Sequence, residues 1–410
     1  MKKHFYQNLL PLFALSLLLV PISGCDKNSA KLYLVYQPIY TSKAEVLASI
    51  NGNPAQKVDS PGKVYLKGSY IFINDIDKGI HIIDNQNPSR PTQVAFLAIP
   101  GNQDIAVKGN TLYADMYDAL LAIDISNPRH VRITKQLERT FPTRAYVNGY
   151  ISSSDKVITG WTKKFVRQVP NTYPCANCVI DLAPAAFSSS SDAKGMAGSM
   201  ARMVLIDDHM YALAESHTLS VINLDSQDQP SMGNTIMAGF DLETIYPFKN
   251  KLFLGSSSGV YIYDLSDPNN PVAQGMYAHG RACDPVITDG DYAYVTLHTG
   301  SACGGASNEL DVLNVKDLHH PLPVKIYQMT RPMGLSKDGD LLFVCDKEGV
   351  RVFDAHDPAA LVQRAILGAA DAYEAVAYNH HLLVTSSRGI YQYDYSKPSM
   401  PLLSMLPVGH

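Results

Sequence analysis

Apolar and polar residues alternate along most of the chain in short bursts, broken by Gly, Asn, Asp and Pro. "TLYAD" (111–115), "LLAID" (120–124), "VYIYD" (260–264) and "YAYVTL" (292–297) are typical. Alternation with period two, rich in Val, Ile and Tyr, predicts half-buried strands. No long segment of helical period competes with it after the first 25 residues. A short strand and a Gly or polar turn, as in "DIAVKG" (104–109), precede each alternating pair. A fourth strand such as "QVAFLAI" (93–99) leads onward.

One phrase recurs: "GIHIIDNQNPSRP" (79–91), "GVYIYDLSDPNNP" (259–271) and "GIYQYDYSKPSMP" (389–401). Its closing Asp can accept backbone N–H bonds from the next turn, and the Pro four residues later stops further pairing. The phrase therefore marks where one sheet ends. The closing Asp or Asn falls at 84, 124, 223, 264, 314, 354 and 394, at spacings of 40, 99, 41, 50, 40 and 40. The interval of 99 reads as one missing marker plus an insertion, with "SDKVITGWTKKFVRQV" (154–169) supplying a degenerate third unit. Four strands in 40 to 50 residues, repeated, describe a β-propeller blade. The fold class is all-β, a propeller of four-stranded antiparallel blades, eight in number with seven as the alternative. "AEVLASI" (44–50) and "PLLSML" (401–406) read as terminal strands, one of which completes the closing blade.

The N-terminus changes the picture. Lys2, Lys3 and His4 precede the apolar run "LLPLFALSLLLV" (9–20), too short for a spanning helix and suited to an export signal. "ISGC" (22–25) resembles the lipobox of bacterial lipoproteins, which implies cleavage after residue 24 and acylation of Cys25. Residues 1–24 are then signal peptide, 25–43 a lipidated tether, and 44–410 one propeller domain with a loop insertion at about 168–200. The expected location is the bacterial cell envelope, lipid-anchored, periplasmic or on the cell surface. Asp26 resembles an inner-membrane retention signal. Net charge is −4, and −6 without Lys2 and Lys3, with no basic stripe to attract nucleic acid.

Few motifs carry chemistry. "GSSSG" (255–259) matches the nucleophile-elbow pattern around Ser257 but lies on a strand–strand hairpin, where no helix follows. "DIDKG" (75–79) lacks the length and closing Glu of a calcium loop. "CANC" (175–178) lacks a second ligand pair for zinc, so a Cys175–Cys178 disulfide is favoured over metal or redox roles. Cys283 precedes the first strand of its unit and Cys303 lies in that unit's hairpin. Both loops emerge on one propeller face, so Cys283–Cys303 reads as a second disulfide. Cys345 falls on a strand and reads as a buried thiol. No cofactor fingerprint, catalytic set or metal cluster emerges.

Taken with "GSMARM" (198–203), "ETIYPF" (243–248), "RACDPV" (281–286), "CGG" (303–305) and "LLFVCD" (341–346), the repeated phrase resembles the LVIVD-repeat family of bacterial surface propellers over roughly 60–405. The resemblance implies fold and an exported or anchored location, and it lends no catalytic residues.

In such a ring the strand following each crossing is innermost. Its leading residues read Lys63, Asp104, Arg144, Arg202, Glu243, Asp284, Arg331 and Glu374. Such a ring can close on itself as mutual salt bridges, or it can bind a ligand. Arg144, Arg202, Asp284 and Arg331, with Glu243 and Asp104, are the candidate ligand contacts, since grouped cations hold carboxylates or anionic glycans. The functional expectation is a non-enzymatic binding or scaffold module for an envelope protein, glycan or small anionic ligand. The alternative is an extracytoplasmic hydrolase or redox enzyme using one propeller face.

Overall fold

The computed structural model describes residues 31–146, 149–168, 186–187, 201–280, 285–299 and 307–409. The chain divides into two compact units, residues 1–37 with 162–183, and residues 38–161 with 184–410. In the first, the described residues belong to strands Lys31–Ser42 and Lys156–Gln168, which pair as a two-stranded sheet. There the Thr162 hydroxyl donates to the Gln37 carbonyl (3.3 Å), and the Lys163 ammonium lies 5.7 Å from the Tyr36 ring.

The second unit is a propeller of seven four-stranded antiparallel sheets among the described residues. Blade 1 is Pro61–Lys67, Tyr70–Asp75, Gly79–Asp84 and Thr92–Ala98. Blade 2 is Ile105–Lys108, Thr111–Met116, Ala119–Asp124 and Arg132–Leu137. Blade 3 is Met203–Ile206, His209–Glu215, Thr218–Asn223 and Ser231–Met237. Blades 4, 5, 6 and 7 begin at Leu242, Val286, Leu335 and Ala372, and the last strand of blade 7 is Leu402–Pro407. Inner strands contact inner strands around the ring, so the first strand of each blade is innermost, as expected. Tightly packed apolar clusters, such as that of Ile80, Leu97, Leu112 and Leu121, fill the space between neighbouring blades.

The repeated phrase does two jobs. Its closing Asp caps the following turn: Asp84, Asp124, Asp354 and Asp394 each accept the N–H two residues on, at 2.9–3.0 Å. The carbonyl four residues on then receives a bond from the preceding blade. Tyr113 donates to Gln227 O (2.8 Å), Tyr211 to Pro268 O (2.8 Å) and Tyr327 to Pro358 O (3.4 Å). A carbonyl in a turn has no ladder partner of its own, so it is available to latch a neighbour.

Three expectations need correction. Residues 154–169 are not a blade: Lys156–Gln168 is one long strand paired with Lys31–Ser42. The count is therefore seven, the alternative rather than eight. "AEVLASI" is helical, in Lys43–Ser49. Ser42 caps it by accepting the Glu45 N–H (3.2 Å), and Val46 turns into the core. The segment read as a tether contains the strand Lys31–Ser42. The expectation for "PLLSML" holds: Leu402–Pro407 is the outermost strand of blade 7 and completes the closing blade. Across the closure, Asn85 and Gln392 pair their amides reciprocally at 2.9 Å, Tyr373 donates to Pro61 O (2.8 Å), and Gly409 donates to Val58 O (2.7 Å).

The other readings of local structure hold. Ser257 sits in the turn between two blade 4 strands, bonded to Asp241 (3.1 Å). "DIDKG" is the turn between two blade 1 strands. Cys345 is a fully buried thiol, its pKa raised by burial and by the charges of Glu374 and Asp346. Cys25, Cys175, Cys178, Cys283 and Cys303 lie outside the described residues.

Candidate functional site: a charged cavity between blades 2 and 3

Three of the residues expected around the channel sit on or just before the inner strands of blades 1, 2 and 3. Lys63 is on the first strand of blade 1, while Asp104 and Arg202 immediately precede those of blades 2 and 3. The Lys63 ammonium meets Asp104 Oδ1 at 2.7 Å and donates to Met203 O at 2.9 Å, with both charged side chains at most 5% exposed. Asp104 Oδ2 accepts the backbone N–H groups of Arg202 and Met203, each at 2.8 Å. One carboxylate thus ties three blades together. Because Asp104 is engaged by the Arg202 backbone, the Arg202 guanidinium receives no ion pair from it.

Arg144 reaches the same place from a different element. It lies in the long segment between blades 2 and 3, and it does not open an inner strand as the sequence reading had it. Its guanidinium donates to Asp77 Oδ1 (2.6 Å), lies 3.5 Å from Asp115 Oδ2, and covers the Tyr117 ring at 5.5 Å. Burial works against its charge, but Asp77 and Asp115 hold its pKa up. Asp115 closes the floor. Its Oδ1 accepts from the Asn102 side chain (2.8 Å) and from the N–H groups of Gln103 (2.8 Å) and Asp104 (2.9 Å). Burial nevertheless pushes its pKa up to about 6, against the pull of Arg144 and those amides, with the Asp104 charge adding to the rise.

These groups line a cavity of about 280 Å³. Its charged floor is Asp104, Asp115, Arg144 and Arg202; Phe141, Pro142, Met203 and Leu213 form an apolar wall; Glu215, Ser216 and His217 stand at the rim. Arg202 is the least satisfied member. Its Nε is buried with no hydrogen-bond partner, and its Nη2 has one long bond, 3.4 Å, to Leu213 O. Burial dominates in lowering its pKa; Asp104, Asp115 and Glu243 oppose that through their fields, and Arg144 adds to it. A cation in this state can gain a great deal from one well-placed anion.

The remaining candidates are elsewhere. Glu243, on the first strand of blade 4, bears on Arg202 through its field. Glu374 is buried on the first strand of blade 7. Arg331 is exposed before blade 6, where its N–H donates to Asp346 Oδ1 (2.6 Å). Its charge helps burial depress the pKa of His298, in blade 5's hairpin, to about 4. So the expected trio of cations is a pair, Arg144 and Arg202. Asp284 lies outside the described residues. Sequence reading passed over Asp115 and Phe141, although "TLYAD" displays an acid in an otherwise apolar strand.

The family model for the LVIVD repeat matches residues 61–96 and 101–135. The chain carries LVIVD repeats. The two matched repeats coincide with blades 1 and 2, so the site is built partly by the second of them. No curated protein matches the chain. Among solved structures, this LVIVD-repeat propeller is similar to a functionally unknown protein from Desulfotomaculum acetoxidans DSM 771, with TM-score 0.54 and 11% identity over 83% of this chain and 95% of that one. A protein from Lactobacillus plantarum gives 0.53 and 11%, over 92% and 97%. Saccharomyces cerevisiae Sqt1 gives 0.52 and 10%, over 88% and 89%. At such identities the likeness concerns the fold alone.

Proposed function

We propose that this LVIVD-repeat propeller is a lipid-anchored, extracytoplasmic binding protein that takes a small anionic ligand in the cavity between blades 2 and 3 and catalyses no reaction on it. The observation that carries the reading is Arg202, a half-buried residue lining the cavity whose guanidinium Nε is buried and unpartnered. A buried cation without a carboxylate partner is costly to maintain, and a convergent polar floor in a concavity is the usual form of a ligand site. Isothermal titration of the purified chain with benzoate, inorganic phosphate and citrate tests it. At least one should bind in a one-to-one ratio, and Arg202→Gln should abolish that binding in a chain that still melts cooperatively. Binding indifferent to Arg202, or none at all, defeats the reading.

The anchor rests on the leader and on Cys25. Cys25→Ser should release the protein from membranes or leave it uncleaved, and unchanged fractionation and mobility would remove the anchor from the account. Export also permits the Cys175–Cys178 and Cys283–Cys303 bridges. Non-reducing peptide mapping should find both, and free thiols at either pair would refute it.

A further inference from the structure

We propose that the ligand is a small monocarboxylic acid with an apolar body, its carboxylate held by Arg202 and its body against Phe141, Pro142 and Leu213. This rests on the anion-site reading above and narrows it to one chemical class.

Charge sets the first limit. Three cations, Lys63, Arg144 and Arg202, face three carboxylates, Asp77, Asp104 and Asp115, at the floor and immediately behind it; Glu243 also bears on Arg202 through its field, but it has a partner of its own and is left out of the balance. Lys63 is engaged by Asp104, and Arg144 lies between Asp77 and Asp115. Only Arg202 lacks an ion pair of its own, so the site has an opening for one negative charge. A second charge on the ligand would lie near Asp104 and Asp115 in a poorly hydrated space, where like charges repel strongly.

A proton completes the balance. With all three carboxylates ionised the floor is neutral, and a bound monoanion leaves it at minus one. Asp115 is the cavity-lining acid whose pKa is raised to about 6, so it can take up one proton as the anion enters. The charges that bear on it are Asp104 beside blade 2, Arg144 from the intervening segment and Arg202 beside blade 3, while Tyr146 of that segment and Tyr117 of its own hairpin bear on Arg144. Asp77, also raised by burial, lies behind Arg144 and does not line the cavity. Glu215 and His217 pair with each other at the rim (3.2 Å). One proton neutralises a monoanion and leaves a dianion uncompensated.

The walls set the second limit. A glycan needs hydroxyl partners along its length, whereas much of this cavity's lining is the Phe141 ring, the Pro142 ring and the Met203 and Leu213 side chains. The Tyr117 ring is not a free stacking face, because Arg144 covers it (5.5 Å) and Gly101 packs so closely that a Cβ there would meet the ring at 2.8 Å. At about 280 Å³ the space falls just below the range of drug-sized pockets, roughly 300–1,000 Å³.

Titration of the purified full chain with benzoate, benzamide, acetate, inorganic phosphate and citrate, at about pH 7.5 and about pH 5.5, separates the possibilities. Benzoate should bind best, with benzamide and citrate about tenfold or more weaker. Its affinity should rise at the lower pH, with uptake of close to one proton at about pH 7.5 and much less at about pH 5.5, where Asp115 is already mostly protonated, and Asp115→Asn should bind benzoate equally at both. Arg202→Gln should weaken benzoate about tenfold or more; should it fail to fold, Arg202→Lys, which keeps the charge and loses the fork, should still weaken it. Phe141→Ala should weaken benzoate more than acetate. Tighter binding of phosphate or citrate than of benzoate, still dependent on Arg202, overturns the monocarboxylate class and leaves the anion site standing. Equal binding of benzamide overturns the role of charge. Failure of all five probes overturns both proposals.

Discussion

Blades 2 and 6 both have a six-residue second strand, TLYADM and LLFVCD, with the acid in different places. In blade 6 it is the last residue, Asp346. Its Oδ1 accepts the N–H groups of Arg331 (2.6 Å) and Lys347 (2.8 Å), and its Oδ2 meets Arg351 Nε at 2.7 Å. Blade 1 repeats this device: Asp75 also ends its strand, accepts from Asp59 and Ser60 (2.9 Å each), and faces His81 at 3.1 Å. Arg351 and His81 occupy the same register, opposite Val344 and Ile73. These clamps complete themselves within one blade.

Blade 2 has apolar residues at both positions, Met116 at the strand end and Leu121 opposite Ala114. Its acid stands one residue earlier, at 115. Neighbouring residues of a strand point to opposite faces, so the carboxylate turns away from where a local cation would sit. Arg144, from outside the blades, reaches it only at 3.5 Å. Shifted by one residue, Asp115 keeps the amide part of the clamp, through the N–H groups of Gln103 and Asp104, but lacks a cation from its own blade, and it lines the cavity with its pKa pushed up to about 6 by burial. The unit that departs from the repeat's pattern is the one that lines the candidate site.

Substitutions can break or sharpen this contrast. The largest effect is expected in blade 6, where Asp346→Ala leaves the N–H groups of Thr330, Arg331 and Lys347 without their acceptor and takes from Arg351 its nearest carboxylate, while Arg351 keeps Glu348 and Gln363. Urea unfolding should show a loss of about 3–5 kcal/mol, at about 1–3 kcal/mol for each donor left unsatisfied, and a loss below about 1 kcal/mol would refute the clamp. Next comes Lys63→Met, which strips Asp104 of its cation but leaves its amide donors. We expect a loss of about 2 kcal/mol in the same measurement.

Asp115→Asn should have the smallest effect, neutral or stabilising at about pH 7.5. Its folded pKa, about 6, lies above the ordinary 3.8, so the folded chain holds an extra proton between those values. That contribution is present in full below the lower value and is lost as pH rises through the upper one. The variant should therefore lose less stability than the parent on going from pH 4 to 7. An identical pH profile would mean that Asp115 is ionised throughout, like an ordinary carboxylate.

The repeated phrase made the blades legible, because its Asp, Pro and Gly act through local backbone geometry. The same locality misled at 154–169, whose alternation matches a blade strand. Only its pairing with residues 31–42, more than a hundred positions away, distinguishes it. "AEVLASI" is ambiguous in hydrophobic period, and the Ser42 and Glu45 spacing of a capping box was the overlooked signal. At the site, Asp104 and Arg202 could be read from their place before an inner strand. Arg144 was expected to open an inner strand and instead lines the cavity from a long connection that no periodicity describes.

Crystals of the purified chain soaked in bromide would locate anions directly by anomalous scattering. The account predicts bromide in the cavity between blades 2 and 3, against the Arg202 guanidinium, and none at the self-contained Asp346–Arg351 clamp. Bromide bound at exposed cations such as Arg331 while the cavity stays empty would contradict it.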